Sequence, residues 1–407
     1  MSGASATPAP AERPGGRLSA LDGLRGWAAV VVVLHHLLEI AKPYLSPGPD
    51  RPVVLGSAWW WITETPLKLL TAGHEAVVVF FVLSGLVVAL PALRASGPYS
   101  WGAFLASRFV RIYLPVWGAL LLATVFIKLL PRDRSQVVPH SWMADSNATS
   151  LSAPLLVEEA TLSRFSFDIV NTLWSLRWEM IFAVLLPLYI VLARALRRRW
   201  AVTGSLLAVA AVGGFALENG TLSYLPAFFL GTLVAVNLDG FRGWADRARR
   251  SRAFGAIAGA GIALSCLLLI VNWLARPLGS AALTLALTGL SVLGALGLVL
   301  LAIAPTPLAR ALLAPASRWL GRISFSLYLV HVPVLVTLAF LIGDARWPLV
   351  ALLGVPASLL VGWGFERVVE APAHRLARRV GGWVGAAVPA APRWLTAPPP
   401  PAREASA

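Results

Sequence analysis

Long apolar runs recur along almost the whole chain, and they decide which solvent it can fold in. They fall near residues 24–41, 76–92, 112–130, 173–193, 200–216, 222–238, 254–273, 279–304, 323–342 and 347–366. A helix needs about 20 mostly apolar residues to cross the hydrocarbon core of a bilayer, and these runs approach or reach that length. Of 407 residues, 57% are hydrophobic and 13% charged. An ordinary soluble domain carries roughly 25% charged residues, and its core has no room for this much apolar surface. The expected fold is therefore all-α: a polytopic transmembrane bundle with one helix for each of the ten runs.

The first run is too long for the core of a secretory signal peptide, so it is expected to remain as a helix. Residues 1–17, rich in Ala, Pro and Gly, read as a disordered leader, 18–375 as the membrane domain, and 376–407 as an Ala/Pro-rich tail. Lysine and arginine set the orientation. With the N-terminus inside and strict alternation, 24 of the 34 basic residues fall on inner segments, which places both termini in the cytoplasm of a protein crossing the cell membrane many times. The same bias accounts for the net charge of +15, so nucleic acid is not an expected partner. Cys266, the one cysteine, excludes an intramolecular disulfide and a cysteine metal site, and no metal or permanently bound cofactor is expected.

Ionisable residues inside spanning helices are costly, so each is a functional candidate. Arg25 opens the first helix and His36 follows eleven residues later. That is ~16 Å along the axis, about half the hydrocarbon core, and ~20° from a whole number of turns. Asp22 and Glu39 fall near the same line, whereas His35 points ~80° away. In the ninth helix Arg322 comes first, and Ser324, Tyr328 and His331 share one face at i, i+4 and i+7. The fourth helix carries Ser175, Arg177 and, below two interfacial Trp, Glu179, which the sequence places in the outer half of the membrane. The second holds Glu75 at its outer mouth and the pair Ser84-Gly85, read as a close helix contact. Taken alone, Arg25 also reads as a positive-inside anchor, Glu179 as a paired interfacial acid, and the histidines as hydrogen-bonded packing groups.

Taken together the segments resemble a known family. Leu21-Asp22-Gly23-Leu24-Arg25-Gly26 running to His36 is similar to the Arg-x10-His signature of the acyltransferase 3 family of membrane O-acyltransferases. Phe80-Phe81-Val82-Leu83-Ser84-Gly85, Trp174 to Glu179, Ile323 to His331 and Glu370-Ala371-Pro372 resemble its later blocks, in order. Where many members carry an acid shortly before the Phe pair, this chain has Val78, which would pass any such role to Glu75. The resemblance implies a cytoplasmic acyl-CoA donor and O-acylation, read as acetylation, of a carbohydrate or similar hydroxyl: a glycan, a lipid-linked sugar or a small metabolite.

The residues agree with that implication on separate grounds. Arg25, Arg108, Arg111 and Arg322 are expected at the inner mouth, where guanidinium suits the phosphates of CoA, with Asp22, Ser84, Ser175 and Tyr328 as further binding groups. His36, with Glu179 and His331, is the expected catalytic set, because imidazole can take a proton from a hydroxyl near neutrality. The rival reading is a proton-coupled transporter with His36 as a relay. It lacks the paired halves of interrupted helices that inverted-repeat transporters show.

Overall fold

The computed structural model describes residues 16–48, 51–164 and 167–387, and among them there are helices and no strands. The expected leader lies outside the described residues up to residue 15, as does the tail beyond 387. Among the described residues nine helices are long and apolar enough to cross a membrane: α1 Ser19–Leu45, α2 Gly73–Arg94, α3 Trp101–Leu129, α4 Leu173–Ala195, α5 Arg197–Ala216, α7 Phe254–Leu278, α8 Ala281–Ile303, α9 Pro315–Ile342 and α10 Asp344–Ala387. Between α5 and α7, Gly220–Val236 (α6) and Leu238–Ala248 are bent 72° apart and make up to a tenth span. Each apolar run of the sequence thus has its helix.

One helix is longer than its apolar run for a physical reason. α3 starts at Trp101, capped by Ser100, whose Oγ accepts the Ala103 N–H at 3.2 Å. Arginine is a good helix former, so Arg108 and Arg111 interrupt the hydropathy of this segment without interrupting the helix. These two residues lie within α3 and not in the connection before it.

α1 and α9 run parallel and cross at glycine. A Cβ on Gly26 would sit 2.4 Å from the Gly321 nitrogen, and one on Gly321 would sit 2.4 Å from the Asp22 oxygen. Small residues let backbones touch where apolar side chains have no solvent to escape from. The contact also sets a register: 295 residues separate Gly26 from Gly321, and the same 295 separate His36 from His331. Gly23 makes a second close approach, its Cβ position 2.2 Å from the Leu312 oxygen. Gly26→Ala is therefore expected to overpack this crossing, at a cost of about 1–3 kcal/mol, and to lower activity together with stability. Melting in detergent and turnover per folded molecule are the measurements, and a variant that matches wild type in both would remove the crossing as the source of the register.

The Ser84-Gly85 pair divides its work. Gly85 lies against α6, where a Cβ would be 2.0 Å from the Phe228 oxygen and 3.0 Å from the Gly231 Cα, so it is the packing residue the sequence suggested. Ser84 turns the other way, toward α4.

Between α3 and α4 a long connection packs on the bundle. Glu159 is fully buried there and accepts the backbone N–H groups of Asp168, Ile169 and Val170 at 2.6, 2.8 and 3.1 Å, which pins the segment leading into α4. In the same connection, Trp142 meets the ring of His36 with centroids 5.3 Å apart.

Candidate active site

α1, α2, α3, α4, α9 and α10 enclose a cavity of about 410 Å³. Asp22, Arg25, Ser84, Arg108, Arg111, Ser175, Glu179 and Tyr328, eight of the eleven residues singled out in the sequence, line it. The walls are otherwise apolar, with Phe80, Phe81, Phe104 and Phe325 among them. The cavity runs from Pro91, near the basic end of α2, to Phe80. On one helix that is ~16 Å, about half the hydrocarbon core.

Its charged side chains differ in their partners. Arg108 Nη2 forms an ion pair with Glu179 Oε1, and Ser84 Oγ donates to the same oxygen at 3.0 Å. Arg25 Nε donates to Ser324 Oγ at 3.2 Å, and Ser324 donates in turn to the Gly321 carbonyl at 2.8 Å. Among the described residues, Arg111 lines the cavity without an ion pair or side-chain hydrogen bond, which leaves its guanidinium available to an incoming anion. Tyr99, in the connection between α2 and α3, stays a neutral donor, since burial pushes its phenol above the ordinary range.

The pair with Arg108 corrects the depth of Glu179. Counted from the outer end of its own helix, this carboxylate belongs near the outer surface. Its partner Ser84, however, lies ten residues from the basic end of α2, ~15 Å along the axis and close to the membrane middle. Glu179 and the arginines therefore share one compartment. The two-sided arrangement, with arginines on one side and the acid on the other, does not hold.

Arg322 is a second correction. It is exposed and does not line the cavity. Two residues on a helix are ~200° apart, so the turn that points Ser324 inward points Arg322 outward.

Glu370 is the cavity residue whose role the sequence left unread; Glu370-Ala371-Pro372 was its only signal. Its Oε2 accepts from Ser326 Oγ at 2.5 Å, and its Oε1 lies 3.8 Å from His374 Nε2. Residues Glu366–Glu370 form a π turn in α10 just ahead of Pro372, which has no N–H to continue the ladder. Such turns often mark functional positions. Glu75, by contrast, is outside the cavity: it is buried and accepts from Trp273 Nε1 at 3.0 Å, on α7.

At the Phe80 end of the cavity, Ser175 Oγ and Tyr328 OH are 2.7 Å apart, and both reach the Thr172 carbonyl, at 3.1 and 3.2 Å. Phe80 packs edge-on against Tyr328. Behind this partition lie the two histidines. His331 Nε2 is 3.2 Å from His36 Nδ1, and both rings are buried. Tyr328 and His331 have ring centroids 6.1 Å apart, so one side chain separates the charged cavity from the histidine pair. His35 points away as its spacing required and packs on Gly73.

A family model described as an acyltransferase domain matches residues 18–367. The chain belongs to the acyltransferase 3 family. Its nine to ten candidate spans among the described residues fit a multi-pass membrane protein. Among curated proteins it is similar to Acyltransferase R4 of Phoma sp., 27% identical over 157 residues, which cover 32% of this chain and 34% of that one. The chain thus matches about a third of that relative's length. No solved structure matches this chain. Membership of an acyltransferase family favours the acyl-transfer reading over the transporter one.

Proposed function

We propose that this enzyme takes an acyl group, read as acetyl, from acyl-CoA at the basic end of the bundle and transfers it to a hydroxyl of a carbohydrate or similar acceptor. The observation that carries this reading is the arginine-lined cavity that stops one side chain short of a buried histidine pair. Arg25 and Arg111 meet the phosphates of the donor by charge-assisted hydrogen bonds. The cavity volume suits the slender pantetheine arm and thioester, with the nucleotide left at the mouth. Tyr328 then moves aside to bring the thioester carbonyl to His36. The charge bias of the sequence puts the basic end, and both termini, in the cytoplasm of the cell membrane.

The reaction is a direct transfer in this reading. His36 takes the proton of the acceptor hydroxyl, the oxygen attacks the thioester carbonyl, and the CoA thiolate leaves. The test is thiol release from acetyl-CoA by the purified protein in lipid nanodiscs, with longer acyl-CoA chains run in parallel. Release that requires the protein and vanishes on boiling is the expected result. Absence of release with every acyl-CoA, in the presence of a cell-derived pool of hydroxyl acceptors, would reject an acyl-CoA donor.

A further inference from the structure

α6 ends abruptly. The Asn237 side-chain amide donates to the Leu233 carbonyl at 3.0 Å and caps the last turn, and the chain restarts as the short helix Leu238–Ala248, 72° away in direction. With α6 upright across the bilayer, that helix lies ~18° from the membrane plane, close to flat given that spans tilt by ~20°. It sits where α4 stops and α5 starts, because Phe241 meets Trp200 edge-on with ring centroids 5.0 Å apart.

The short helix has three distinct sides. At ~100° per residue Leu238, Phe241 and Ala245 share one of them. Leu238 and Ala245 are buried there, and Phe241 packs on the core. Trp244 stands on one flank, ~90° round from the centre of that side, and is 65% exposed. Asp239 and Asp246 stand on the other flank, ~140° and ~160° from Trp244, and both are exposed. A flat helix at the edge of a membrane bundle must turn one side to protein, one to lipid and one to water. Tryptophan suits the lipid side at the interface, where its ring meets acyl chains and its N–H meets headgroups.

The surrounding charge is mostly of one sign. Residues 197–200 and 238–252 hold eight arginines against two aspartates. Arg197, Arg198 and Arg199 are exposed just ahead of Trp200, and Arg247, Arg249, Arg250 and Arg252 are exposed at the far end of the short helix. Positive-inside bias accounts for arginines at this end of the bundle, but not for a flat helix with a tryptophan flank among them. A helix in the interface plane, an aromatic anchor and clustered guanidinium groups together suit a membrane surface that carries negative charge.

We propose that the short helix Leu238–Ala248 and the adjoining Arg197–Arg199 form a docking surface for anionic phospholipid in the leaflet at the basic end of the bundle. Trp244 enters the boundary between headgroups and acyl chains, the arginines hold the anionic headgroups, and Asp239 and Asp246 face water. Nothing in this arrangement depends on the acyl donor.

Depth and charge preference are measured separately. In full-length protein with Cys266→Ala, Trp244→Cys or Asp239→Cys supplies one site for a nitroxide label. Each labelled protein is placed in nanodiscs of phosphatidylcholine with or without phosphatidylglycerol. Oxygen, which concentrates among acyl chains, is expected to relax the label at position 244, and a water-confined nickel chelate the label at position 239. The preference for phosphatidylglycerol over phosphatidylcholine is read from lipid adducts in native mass spectrometry. Arg249→Gln and Arg250→Gln are each expected to lower it about fivefold, the equivalent of ~1 kcal/mol per basic residue at an anionic surface. Arg249→Lys and Arg250→Lys, which keep the charge, should preserve it. A label at position 244 open to nickel in both lipids would make the patch a protein-docking surface in water, and the proposal wrong. A preference unmoved by both Gln variants would also overturn it, leaving these arginines only to orient the chain.

Discussion

His36→Ala is expected to lower acyl transfer by about 10²–10⁴-fold, the usual cost of losing a general base, while the protein still inserts and folds. Its ring pairs with His331 and meets Trp142, and no other histidine among the described residues has that position. His331 holds the Nδ1 side of the same ring, so His331→Gln should reduce turnover by a smaller factor. His35→Ala should keep most activity per folded molecule, because that ring packs on Gly73 and leaves its own Nδ1 without a partner. The measurement is thiol release normalised to monodisperse protein. An essential His35 beside a tolerant His36 would mean that the helical face has been misassigned.

The second large effect is expected at Glu179. Glu179→Gln leaves the partly buried Arg108 guanidinium without its counter-charge. Removing one member of a fully buried ion pair costs ~3–5 kcal/mol. Here the two side chains keep 10% and 20% of their exposure, so a loss of about 1–3 kcal/mol is the appropriate scale after allowing for solvent screening. Arg108→Gln should destabilise similarly, and the double variant should be little worse than either single one, because both remove the same interaction. Sharing a compartment also predicts that CoA affinity, read by calorimetric titration, shifts severalfold in Glu179→Gln, since the acid competes with phosphate for Arg108. Unchanged CoA affinity together with an unchanged melting temperature would show that the two side chains work apart.

Much of this was legible in the sequence. The bilayer requirement alone gave the number and order of the spans. Periodicity gave Arg25 and His36 on one face of α1, and Ser324, Tyr328 and His331 on one face of α9. Gly85 was legible as a packing residue because only a missing side chain explains a glycine beside so many large apolar neighbours. What a single helix determines about itself is the direction of each side chain and its distance along the axis, and these readings needed nothing more.

The remainder depends on how helices are staggered, and no local pattern encodes that. Glu179 was misplaced because its depth was measured from its own helix end, whereas its ion pair with Arg108 and its hydrogen bond to Ser84 fix it near the middle of the membrane. Arg322 was grouped with the other arginines by its place in the chain, but its neighbour Ser324 takes the inward face. Glu370 lies beyond the apolar runs and reaches the site only through a π turn. The pairing of His36 with His331 needed two glycines, Gly26 and Gly321, to bring distant backbones into contact at one register. Hydropathy and helical periodicity fix each helix in the membrane; only backbone-to-backbone packing between helices fixes which side chains meet.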